Sequence, residues 1–258
     1  MMLLDNKQVL VFAATGAIGS GAARRFAQEG ATVWLSGRNR AALETVAQGI
    51  ADAGGKAHID VVDATDAGAV SAYVERVAEQ AGRIDAVFNA IGARPADLGY
   101  PEPSATTSLE HFMRPLEVIL ASTFLTSRTV GAQMVRQGGG AIVTLSATLS
   151  GMTAPFMAGI SAACSAIEGM TRSLAGEFGP AGVRVNCVRG SGMPETRTIQ
   201  ETSAGYGQLG YGMPMTLPPL GRPITVAETA AAAAFLASDA ASGMTGQVIT
   251  VCAGQFVG

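Results

Sequence analysis

Lysine is nearly missing from this chain of 258 residues, which has two, Lys7 and Lys56. Charged residues reach only 14% and the formal net charge is −3, so nothing here offers a polyanion a basic surface; nucleic acid is not an expected partner. Histidine is as scarce, with His58 and His111 alone, and no group of His, Cys and carboxylates has metal-ligand spacing. No metal is expected. The three cysteines, Cys164, Cys187 and Cys252, are scattered and odd in number, which excludes a disulfide framework and fits free thiols in a reducing cytoplasm. No uncharged apolar run is long enough to span a bilayer, and Met1 to Lys7 is too short for a signal peptide, so no membrane is expected either.

What is plentiful is hydrophobic surface, 48% of residues, enough for a large core. It is arranged as alternating strands and helices. Gln8 to Ala13 reads as a strand, then a glycine-containing turn, then a helix from Ile18 to Gly30. Ala31–Ser36, Lys56–Val62, Ile84–Phe88, Ala141–Ser146, Val183–Val188 and Gln247–Val251 read as further strands. Between them lie helices at Arg40–Ala53, Ala67–Ala81, Leu109–Arg136, Ala154–Phe178 and Val226–Ser238. Most of the strands are apolar without alternation, as strands covered on both faces are. The expected fold is α/β, a doubly wound parallel sheet of Rossmann type in a single domain, 1–258. The segment 191–220 breaks the rhythm with prolines, glycines and methionines, and is expected to be a mobile substrate flap.

In such a sheet a ligand sits beyond the strands' carboxyl ends, with phosphate on the first helix's N-terminus. The loop there is Ala13-Ala14-Thr15-Gly16-Ala17-Ile18-Gly19-Ser20-Gly21. A strand 2 that serves NAD usually ends in an acid for the ribose 2′-hydroxyl; this one ends Ser36-Gly37-Arg38-Asn39-Arg40. A guanidinium suits a 2′-phosphate, so NADP(H) is preferred over NAD(H).

The opening "QVLVFAATGAIGSGAARRFAQEGATVWLSGRN" resembles that of the classical short-chain dehydrogenase/reductase family. Later signposts follow in order: Asp63 to Asp66, Asn89-Ala-Ile-Gly92, "GGGAIVTLSA", "GMTRSLAGEFGPAGVRVNCV" and "FLASDAASGMTGQVITV". The resemblance implies a cofactor held by Ala13, Gly16, Ile18, Gly19, Arg38, Asp63, Asn89 and Gly92. Asp63 would contact the adenine amine, and Asn89 would steady the sheet beside the cofactor. It also implies a homotetramer or homodimer, built through the two long central helices.

The family's chemistry uses a tyrosine, a lysine four residues on, a serine and an asparagine. Here those positions are Ile160, Cys164, Ala147 and Ile119. Neither lysine can substitute, because both stand near strand starts, at the sheet edge away from the site. Weaker candidates are Ser146, Tyr100, Tyr206, Tyr211 and His111, with Arg94 and Arg189 available for a substrate carboxylate. Cys164 reads as a buried helix cysteine rather than a nucleophile, since neither neighbour offers a base. Three readings remain open: an NADP(H)-dependent oxidoreductase with a relocated or solvent-supplied proton donor, a non-redox isomerase, dehydratase or cyclase, and a catalytically silent partner protein. The pocket, edged by Met193, Met213 and Met215, is expected to take a small apolar substrate or ligand.

Overall fold

The computed structural model describes residues 2–256; Met1, Val257 and Gly258, at the ends of the expected domain, lie outside the described residues. Seven parallel strands form one sheet in the order β3-β2-β1-β4-β5-β6-β7. They are β1 (Gln8–Phe12), β2 (Thr32–Gly37), β3 (Lys56–Val61), β4 (Ala86–Asn89), β5 (Gly140–Ala147), β6 (Val183–Gly190) and β7 (Val248–Val251). Helices α1 (Ala17–Gln28), α2 (Arg40–Asp52) and α8 (Val226–Ala237) pack on one face around Val9, Val11, Val33 and Leu35. Helices α3 (Ala67–Ala81), α5 (Ala121–Gln137) and α6 (Ala158–Phe178) cover the other, around Leu10, Phe12, Val87 and Ile142. β1 alternates Val9/Val11 against Leu10/Phe12 between the two cores, so Val9 to Phe12 are all apolar.

Helix ends follow local chemistry. Asp66 caps α3, accepting from the N–H groups of Gly68 and Ala69, and Gly82 ends it at φ 76°. Thr225 and Glu228 form a reciprocal capping box at α8.

Two expectations need correction. The long helix expected from Leu109 to Arg136 is α4 (Leu109–Pro115) joined to α5 through a π-helical turn, Leu116–Leu120. Pro115 has no N–H to continue the ladder, and the hydroxyls of Ser122 and Thr123 donate to the carbonyls of Val118 and Ile119. Helix α6 begins at Ala158, four residues later than expected, because Ala154–Met157 belong to a loop. The segment 191–220 contains a helix, α7 (Arg197–Gln208), capped by Thr196.

Candidate functional site

Because all strands run the same way, their carboxyl ends gather the predicted cofactor residues along one edge. Ala13, Gly16, Ile18 and Gly19 follow β1, Arg38 follows β2, Asp63 follows β3, and Asn89 and Gly92 end or follow β4.

The β1–α1 turn is tight. The Gly16 N–H bonds the Ala13 carbonyl and the Ser20 N–H bonds Gly16, while the cap position, Gly16, offers no side chain. The α1 N-terminus therefore carries no capping side chain and no acid in its first turn, the arrangement that receives an anion. A Cβ on Gly19 would fall 2.3 Å from the Ala13 carbonyl oxygen, so no larger residue fits there. Ala13 itself adopts φ 56°, the left-handed region that glycine occupies without cost. The loop thus takes a glycine conformation with alanine in it. Gly21 lies beyond this turn: a Cβ there would meet Val226 Cγ1 at 2.4 Å, so it lets α1 approach α8.

Arg38 is exposed, with no hydrogen bond or ion pair among the described residues, and Asn39 caps α2 beside it. Asp63 Oδ1 accepts from the Thr65 N–H at 2.9 Å and the Thr65 hydroxyl at 2.7 Å. Those bonds, helped by the Arg38 charge, hold its carboxyl below the usual range. Asn89 donates through Nδ2 to Ser127 Oγ at 2.7 Å; its buried Oδ1 has no partner among the described residues.

The four positions where family catalysis would be expected come together. Ile119, Ile160 and Cys164 are buried in one apolar cluster with Met157, Ile167 and Cys187, and Ala147 packs against it. Burial pushes the Cys164 thiol up to about 11, so it stays protonated at neutral pH. Lys7 pairs with Asp239 and Lys56 opens β3, at the opposite edge of the sheet.

The weaker candidates differ in how they are held. The Tyr206 hydroxyl donates to the Pro155 carbonyl at 2.6 Å. Tyr211 is 57% exposed and leans on Phe156. Tyr100 is buried in the same cluster as Ile160 and Cys164; its hydroxyl is set against Gly159, where a Cβ would lie 2.4 Å away, and has no hydrogen-bond partner among the described residues, and burial and then the Glu102 charge raise its pKa. His111 is held through both ring nitrogens, by the Leu98 carbonyl and by Glu102 Oε2. His58 stacks on Trp34 in the sheet.

Sequence reasoning missed the knot that holds the site's floor. Glu168 and Arg189 are both buried, and Glu168 Oε2 accepts from Arg189 Nη2 at 2.6 Å. Glu168 Oε1 accepts from Arg189 Nε at 2.8 Å, Ser146 Oγ at 2.8 Å and Ser150 Oγ at 2.6 Å. Burial pushes this carboxyl up, but the guanidinium and the two hydroxyls outweigh it and hold it below its ordinary value. Ser146 is thereby committed, and Arg189 is neutralised rather than available to a substrate. Arg94 is neutralised too: its Nη1 meets both oxygens of Glu201 at 2.7 and 2.8 Å, and its Nη2 meets Asp97 at 2.7 Å. The signal for the knot was present, since Glu168 lies on the stripe of α6 that includes Ile160, Cys164 and Ile167.

Among the described residues no helix is long and apolar enough to cross a membrane, and no cluster of His, Cys, Asp and Glu could hold a metal.

A family model described as enoyl-(acyl carrier protein) reductase matches residues 13–255. D-threitol dehydrogenase of Mycolicibacterium smegmatis is 32% identical over 98% of this chain and 94% of its own length. A 3-oxoacyl-(acyl-carrier-protein) reductase of Chlamydia muridarum is 32% identical over 98% of each. The crystal structure of NAD+-bound xylitol dehydrogenase superposes with a TM-score of 0.89 at 26% identity, over 97% of this chain and 99% of that one.

Proposed function

The chain belongs to the short-chain dehydrogenase/reductase family, and from that premise we propose that it is an NADP(H)-dependent oxidoreductase working without the family's proton donor. The observation that carries the reading is a contrast within one edge of the sheet. The phosphate turn keeps its glycine geometry at Ala13 and Gly19, while Ile119, Ala147, Ile160 and Cys164 form an apolar patch where hydroxyl, amide and ammonium groups would stand.

The α1 N-terminus would hold the pyrophosphate, with Gly19 leaving room for the turn. Arg38 would meet the 2′-phosphate and Asp63 the adenine amine. The bound cofactor would supply or accept hydride. Xylitol dehydrogenase of the same fold binds NAD+; the argument for NADP(H) here is Arg38, exposed and unpaired among the described residues where an acid would otherwise stand. Around the substrate, Ile119 and Ile160 exclude water and offer no proton. A positioned general acid typically contributes about 10²–10⁴ in rate, so plain ketones are poor substrates, and the site suits an apolar, conjugated or already activated one. Because Arg94 and Arg189 are both matched by carboxylates, that substrate carries no anionic group for them to hold. Single-domain organisation over 1–258, cytoplasmic residence and assembly into a homodimer or homotetramer belong to the same reading.

Replacement of all four positions favours a second reading, a non-redox enzyme on this scaffold, which would turn over without changing cofactor absorbance. Calorimetric titration with NADPH and NADH, on the protein and on Arg38→Ala, tests the first. NADPH should bind at least tenfold more tightly than NADH, and the variant should lose that margin. Absence of binding by either nucleotide would refute the proposal.

A further inference from the structure

The flap is held by two different devices. Its helix α7 is latched to the rest of the molecule: Glu201 receives Arg94, the Tyr206 hydroxyl reaches Pro155, and Gly205 presses on Pro101, where a Cβ would come within 2.7 Å. The half that follows, 209–221, has no such latch. It lies over the apolar patch, with Met213 packed against the cluster of Ile160 and Cys164, Met215 against Gly192 and Tyr211 against Phe156. It also leaves Leu217 75% and Leu220 68% exposed.

Among the described residues, every hydrogen bond from 212–221 to chain outside 209–221 goes to one place, the C-terminal tail 253–256. The Leu220 N–H donates to the Ala253 carbonyl at 3.2 Å, and Gln255 Nε2 donates to the Thr216 carbonyl at 3.2 Å. Pro219 closes on Gly254, at φ 88°, where a Cβ would come within 2.9 Å. The same Gln255 accepts through Oε1 from Ser191 Oγ at 2.5 Å, so one side chain ties the flap's first residue to its far end. Phe256 anchors the tail. Its ring lies over the Arg189 guanidinium at 4.9 Å and occupies the space beside Gly151, where a Cβ would meet it at 2.4 Å.

We propose that the tail 253–256 is the strap that keeps 209–221 closed over the site, and that the site opens by release of this strap while α7 stays in place. Gln255 is the positioning residue and Phe256 its anchor on the Glu168–Arg189 knot. The proposal concerns access and does not depend on which nucleotide binds.

Hydrogen exchange read by mass spectrometry on the full chain tests it, comparing the protein with Gln255→Ala and Phe256→Ala. Losing the two Gln255 bonds should speed exchange in 209–221 by about tenfold or more. Exchange in α7 and in β1 to β4 should stay unchanged, which also shows that the variants are folded. Gln255→Glu keeps Nε2 out while leaving an oxygen for Ser191, and should release 209–221 to an intermediate degree. Unchanged exchange of 209–221 in both alanine variants would overturn the proposal. So would an equal rise in α7, because the flap would then move as one piece.

Discussion

Glu168→Leu should be among the most damaging single changes in this protein. The side chains of Glu168 and Arg189 are 7% and 11% exposed, so neither charge has much water to fall back on. Removing one partner of a buried pair costs about 3–5 kcal/mol, chiefly because the other charge stays behind. Here two hydroxyls, Ser146 and Ser150, also lose their acceptor. The double variant Glu168→Leu/Arg189→Met removes both charges and should cost no more than about 2 kcal/mol, so with each single change at about 3 kcal/mol or more the coupling energy is at least about 4 kcal/mol. Urea unfolding measures each midpoint at constant slope. The pair also predicts a pH dependence. The folded carboxyl of Glu168 is held below its ordinary value, so its contribution is complete above the unfolded value near 4.5 and is lost as pH falls through the lower, folded one. The double variant should lose this part of the acid slope. A single variant within about 1 kcal/mol of the parent, or a double variant as damaged as the single, would refute the reasoning.

Three further outcomes follow from the nucleotide turn and the latch. Gly19→Ala forces its methyl to within 2.3 Å of the Ala13 carbonyl oxygen and should abolish NADPH binding by calorimetry, whereas Gly16→Ala, with 3.5 Å to the same oxygen, should weaken it mildly. Ala13→Gly relieves a left-handed alanine, at φ 56°, and should raise stability by about 1 kcal/mol in thermal unfolding. Arg94→Ala leaves Glu201 with only the exposed Arg197; it should cost about 1 kcal/mol and raise hydrogen exchange in α7, unlike the tail variants.

How much of this was legible in the sequence differs from element to element. Parallel strands buried on both faces are mostly apolar, so β1 and β5 announce themselves, and the strands' shared direction places the expected cofactor residues on one edge. Spacing along α6 and β5 likewise brings Ile160, Cys164 and Ala147 to one patch. Helix α7 was harder to see because its sequence, RTIQETSAGYGQ, has two glycines and buries only Thr202 and Tyr206 deeply. Packing on Pro101 and the Arg94–Glu201 pair stabilise it, and those contacts are distant in sequence. Arg94 and Arg189 looked available for the same reason: their carboxylates, Glu201 and Glu168, are 107 and 21 residues away. A charge's partner across the fold is not written in its neighbours.

On the function proposed above, the chain lacks the family's proton donor and keeps its nucleotide cradle. Reduction of a plain ketone, followed through NADPH absorbance, tests it most directly in the protein beside Ala147→Ser/Ile160→Tyr/Cys164→Lys. The account predicts negligible turnover in the parent and a gain of about 10² or more in any folded triple variant that binds NADPH. Brisk ketone turnover by the parent itself would contradict it.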